Sequence, residues 1–123
     1  MVLTPKIIAD IASENGGISY NPTTGNLNPK TGYMVSLKGY EWITPKLTEK
    51  EVAYYIATRF RALSKSNRYL GLWYNGAEWV FDVSIHIASR ESAIAFAKAN
   101  DQGAVWDCRK GESIYLHQQE AAA

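Results

Sequence analysis

The stretch YLGLWYNGAEWVFDVSIHI, residues 69–87, constrains the fold more than any other part of the chain. Large apolar residues alternate with polar ones on both sides of Asn75-Gly76. A type I′ turn needs positive φ at both of its central positions, and Asn-Gly supplies this at the least cost. The pattern therefore predicts an antiparallel hairpin of residues 69–74 with residues 77–87. In the second strand Trp79, Phe81, Val83, Ile85 and Ile87 share one face. Glu78, Asp82, Ser84 and His86 share the other, with Val80 as the exception. Such alternation marks a strand with one face in the core, and it predicts that Asp82, Ser84 and His86 stay wet.

Three helices are expected. Residues 4–15 form a short one, with Thr4 as cap, Pro5 at the first position, and Ile7, Ile8 and Ile11 as its apolar face. Asn15-Gly16-Gly17 ends it, because glycine accepts the left-handed cap conformation. LTEKEV opens a longer helix: Thr48 caps it and Glu51 completes a capping box, while Leu47 and Val52 sit at staple positions. That helix is expected to run unbroken from Glu49 to Leu63, with Val52, Tyr55, Ile56, Arg59, Phe60 and Leu63 on one side. SRESAIAFAKAND is the third, capped by Ser89, with small residues suited to close packing on a sheet.

Shorter strands fill the intervals. GISY is one, followed by an exposed loop or long hairpin connection of turn-formers, NPTTGNLNPKTG. YMVSLKG places Tyr33, Val35 and Leu37 on one face, and YEWI continues it past an irregularity at Gly39. GAVWDC and SIYL form a last pair. Antiparallel strands with helices on one side make an α+β domain. The expected architecture is a twisted antiparallel sheet of five to six strands, with two longer helices packed on one face and a short N-terminal helix. At 123 residues the chain reads as one globular domain over 1–123, with a frayed tail at 117–123.

Composition excludes some functions. Thirteen basic and twelve acidic residues leave a net charge of +1, so strong nucleic-acid binding is not expected. One cysteine cannot form an internal disulfide, which favours a reducing, cytoplasmic location. No apolar run approaches the roughly 20 residues of a membrane helix. CxxC, HExxH and clustered histidines are absent, as is a P-loop, so neither metal nor cofactor is expected.

The sequence offers two candidate catalytic arrangements. Asp82, Ser84 and His86 carry the residue types of a hydrolase triad, but a line along a strand does not converge as a triad must. Cys108 could meet His86 in space if their strands are neighbours; a lone cysteine between apolar residues is more often buried packing. Arg59, Arg61, Lys65 and Arg68, with Tyr69 and Trp73 nearby in sequence, have the mix that suits single-stranded nucleic acid; cations near a helix C-terminus explain the placement without any ligand, and that reading is preferred.

What remains is surface. Eight tyrosines and four tryptophans exceed what a small core can hold, and exposed Tyr and Trp suit interfaces. The contact candidates are Tyr40, Trp42, Trp73 and Tyr74, with Asn26 and Lys30 in the long loop. An edge strand could also pair with a second copy, giving a homodimer. Aromatic stacking with phosphate contacts from Arg59, Arg61 or Arg109 would instead sequester a nucleotide or other small molecule.

ENGGISYNPTTGNLNPKTGYMVSL, YLGLWYNGAEWVFDVS and SAIAFAKANDQGAVWD, spanning Glu14 to Asp107, resemble a family of small uncharacterised proteins carried by bacteriophages and other mobile elements. The family has no established activity and no catalytic residues to carry over. The resemblance implies an accessory protein that blunts a bacterial defence system by occupying the surface of a host protein. The leading expectation is thus a non-enzymatic, cytoplasmic binding protein. Nucleotide sequestration is the alternative, and a small enzyme using Cys108 or His86 is third.

Overall fold

The computed structural model describes residues 2–116. The chain runs α1 (Pro5–Asn15), β1 (Gly17–Tyr20), β2 (Tyr33–Ser36), β3 (Trp42–Thr44), α2 (Glu49–Thr58), α3 (Phe60–Leu63), β4 (Arg68–Tyr74), β5 (Trp79–Ile87), α4 (Arg90–Ala99), β6 (Ala104–Asp107) and β7 (Glu112–Tyr115). This is an α+β fold built on an open antiparallel sheet. The order across it is β1-β4-β5-β2-β6-β7, and β3 also pairs with β5. The sheet thus has seven strands rather than five or six, although it is six positions wide.

The seventh strand arises from the irregularity at Gly39. Val35 pairs with Ile85, and Leu37 N–H still donates to the Val83 carbonyl. Pairing with β5 resumes at Trp42, opposite Phe81. Residues 38–41 are therefore looped out opposite Asp82, and β2 and β3 are one long strand with a large bulge. Gly39 takes φ 90° there, which suits glycine.

β5 is the spine. Its odd-numbered residues face the helices, as the alternation predicts. Phe81 and Val83 join Ile8, Ala12, Val52, Tyr55, Leu70 and Leu72 in a core under α1 and α2. Ile85 and Ile87 pack against a second cluster of Val35, Ala93, Ala97 and Val105 under α4. Both clusters lie on the same side of the sheet, because residues 83 and 85 share a face.

The helix caps follow the sequence closely. Thr4 accepts from Ile7 N–H, Pro5 takes the first turn, and Gly16 closes α1 at φ 81°. Thr48 and Glu51 form the capping box of α2, and Ser89 caps α4. Two helix expectations change. On α1 the buried residues are Ile8, Ala9 and Ala12, while Ile7 turns outward. The helix from Glu49 is not continuous to Leu63: it breaks at Arg59, whose φ −113°, ψ 20° is not helical. Phe60 consequently leaves the core and is 66% exposed.

The turn after β4 differs as well. Tyr74 pairs with Trp79, so four residues, Asn75–Glu78, make the connection instead of two. Asn75 Oδ1 accepts from the N–H groups of Ala77 and Glu78, and only Gly76 has positive φ there. This side-chain-closed turn replaces type I′ because Asn75 can satisfy two backbone donors at once. The expectation of a frayed tail at 117–123 lies outside the described residues.

Candidate functional site

Helices α1 to α4 pack on the odd-residue face of β5, and among the described residues no helix covers the other face. Its residues follow from register. Across β4, β5 and β3 runs the row Trp73, Val80, Ile43. Across β6, β2 and β5 runs the row Trp106, Met34, His86. Trp73, Ile43 and Trp106 are 38%, 45% and 43% exposed. Tyr115 shares this face, being one of the residues of β7 that alternate outward from the helices, and is likewise exposed.

The loop after β1 closes one end of that face. Leu27 bridges to Tyr20, and Asn28 exchanges hydrogen bonds with Ser19 through its N–H and its Oδ1. Asn26 Nδ2 donates to the Tyr69 hydroxyl, and the Thr31 carbonyl lies 2.8 Å from His86 Nε2. Tyr69 is buried beneath it, with its ring against His86. The loop is not wholly exposed as expected: Asn21 is buried, donates to the Ser66 carbonyl, and accepts from Thr23 and Thr24.

The middle of the face is polar and closed. Asp82 is 3% exposed and Ser84 6%, so these two side chains are not the wet row that the alternation suggests. Asp82 Oδ1 accepts from the Ser84 hydroxyl at 2.8 Å, and Oδ2 from the Ser36 hydroxyl at 2.7 Å. Gly71, its cross-strand neighbour, leaves the room that the carboxylate fills. Burial pushes the Asp82 carboxyl above the ordinary aspartate range, against the two serine hydrogen bonds that favour its charged form. The sequence signal for this burial was Gly71 itself: a glycine inside a strand often marks close approach of another group.

The expected contact residues are distributed unevenly. Trp73 belongs to the bare face. Tyr74 is exposed on the other side, packed on Trp79. Trp42 points toward the helices, where its ring meets those of Tyr54, Tyr55 and Phe81, so it is largely engaged in packing. Tyr40 packs against the same core, and its carbonyl accepts from the buried Tyr55 hydroxyl at 2.6 Å. Asn26 and Lys30 are exposed on the loop. Ile43 and Trp106 are additions to the expected set; each alternates with an inward residue, and only the register places them on the face of Trp73.

Two open clefts carry the expected ligand arginines. One, of about 410 Å³, is lined by Tyr40, Thr58, Arg59, Phe60 and Arg61. The other, of about 470 Å³, includes Thr31, Tyr33, Arg109 and Lys110. Arg109 and Lys110 each give a backbone N–H to Asp107 Oδ1, which shapes the β6–β7 turn.

Asp82, Ser84 and His86 do not converge, since the histidine bonds to Thr31 and the serine to Asp82. Cys108 and His86 both approach Gly32, one through its N–H to the Gly32 carbonyl and the other through its ring. Burial, then the charge of Asp107, pushes the Cys108 thiol up to about 11, the reverse of an activated nucleophile. Among the described residues no three His, Cys, Asp or Glu side chains gather as metal ligands, and no helix is long and apolar enough to cross a membrane.

Comparison with protein-family models, with curated proteins and with solved structures finds no match.

Proposed function

We propose that this chain is a non-enzymatic binding protein that engages another protein through the helix-free face of its sheet. One observation carries the reading: Trp73, Ile43 and Trp106 stand 38–45% exposed on a face that no helix of the described residues covers. Tryptophan is enriched among residues that dominate interface energies. Trp73 and Ile43 flank Val80 towards one end of the face and Trp106 stands in the His86 row towards the other, with the Asp82 centre between them. The buried Asp82–Ser36–Ser84 centre holds the strands in fixed positions. A rigid surface loses little entropy on binding. The resemblance to phage-borne proteins would make the partner a host protein and the chain its inhibitor.

The test is affinity capture from bacterial lysate with the native chain and a Trp73→Ala, Trp106→Ala double variant of confirmed fold. A stoichiometric protein retained by the native chain and lost by the variant supports the reading. Retention of the same proteins by both chains overturns it.

A further inference from the structure

A cleft at the break between α2 and α3 is lined by residues 57–62 together with Tyr40. In an unbroken helix, successive side chains are about 100° apart, so Arg59, Phe60 and Arg61 would fan round the axis. The chain leaves helical geometry at Arg59, in the middle of the segment that lines this cleft of about 410 Å³ beside Tyr40. Arg59 is held from two sides. Its guanidinium lies 4.9 Å from the centre of the Tyr55 ring, and its Nη1 donates to Thr58 Oγ1 at 2.8 Å. The ring beneath it is itself fixed, since Tyr55 is buried and donates to the Tyr40 carbonyl.

Among the described residues Lys6–Asp10 and Lys38–Asp101 form ion pairs, and neither Arg59 nor Arg61 pairs with a described carboxylate. Arg59 is thus a positioned cation with no carboxylate of the described residues against it. A guanidinium whose rotamer is already fixed gives up little on meeting an anion, and its planar donor fork matches a phosphate. Phe60 exposes most of its ring at the same place. The negative end of the α2 dipole accounts for cations here, but not for the clamping of Arg59 or the outward Phe60.

We propose that this cleft binds a small phosphate-bearing ring compound of nucleoside monophosphate size. Arg59 and Arg61 meet the phosphate, and Phe60 stacks on the ring. The site is separate from the helix-free face and does not depend on that reading. A near-neutral chain lacks the broad basic field that retains a polynucleotide, which favours a small ligand over a strand.

The test is titration of the isotope-labelled chain with adenosine monophosphate, followed through backbone amide shifts, with adenosine and inorganic phosphate as comparators. The expected result is saturable shifts at residues 58–62 and Tyr40, with adenosine monophosphate binding more tightly than either fragment. Arg59→Gln and the exposed Arg61→Gln should each weaken binding about tenfold or more, the usual scale for a hydrogen bond to a charged group. Phe60→Ala should weaken the nucleotide and leave inorganic phosphate unchanged. Absence of saturable shifts, or equal affinity in native chain and folded Arg61→Gln, overturns the proposal. Much tighter binding of a short single-stranded oligonucleotide at these residues overturns the choice of a small ligand.

Discussion

The carboxylate of Asp82 fills the space above Gly71 that a side chain at that position would need. Added to Gly71, a Cβ would run into Asp82 Oδ1, and the carboxylate cannot simply swing away because Ser36 and Ser84 hold both its oxygens. Gly71→Ala is therefore expected to destabilise the chain by about 1–3 kcal/mol, the usual cost of overpacking. Denaturant unfolding of Gly71→Ala, Asp82→Ala and the double variant checks this. The double variant should lose clearly less than the sum of the singles, since the clash goes when the carboxylate does.

Asp82 also sets a pH dependence. Burial raises its carboxyl in the folded chain above the unfolded value of about 3.9. As pH rises through the interval between the two values, the unfolded chain releases this proton first, so the Asp82 contribution to stability falls. Below the unfolded value the contribution is fully present. Asp82→Asn removes the charge and keeps both serine bonds, accepting one and donating the other. Its stability relative to the native chain should grow from acid to neutral pH, as read from unfolding midpoints. A constant difference across that range would contradict the assignment.

The same two residues show what the sequence discloses and what it withholds. Alternation along β5 correctly separates Phe81 and Val83 from Asp82 and Ser84, because a strand has period two. Alternation says nothing of what covers each face. The setting of Asp82 depends on Gly71 and Ser36, and these come together only through pairing across three strands. Local signals did better: Thr4, Gly16, Thr48 with Glu51, and Ser89 all cap as their types require. The break at Arg59 was not readable, since every residue from Glu49 to Leu63 tolerates a helix. For the candidate site, Trp73 was named from sequence alone, and Ile43 and Trp106 needed the register.

The capping box of α2 has a measurable cost of removal. Glu51 Oε1 accepts from the Thr48 N–H at 2.7 Å and its hydroxyl at 2.6 Å, while Thr48 Oγ1 accepts from Lys50 N–H. Thr48→Ala is expected to cost about 1 kcal/mol. The hydrogen bonds from Thr48 hold the Glu51 carboxyl below its ordinary value. A lowered carboxyl stabilises above the unfolded value and loses that contribution as pH falls through the folded one. The penalty of Thr48→Ala should accordingly shrink in acid, and a penalty independent of pH would show that the carboxylate takes no part.

Cys108 offers the most direct test of whether this chain carries a reactive thiol. Its backbone is pinned by N–H donation to the Gly32 carbonyl, its side chain is half-buried, and Asp107 stands beside it. A thiol raised to about 11 holds far less thiolate near neutral pH than an unperturbed one at about 8.5. The greater nucleophilicity of a more basic thiolate recovers part of that loss. Alkylation of the folded chain at neutral pH should be at least about tenfold slower than that of the chain in denaturant. Rates followed by mass spectrometry decide the matter. Folded-state alkylation as fast as in denaturant would mean that His86 or another group activates the thiol, and would reopen a catalytic role for Cys108.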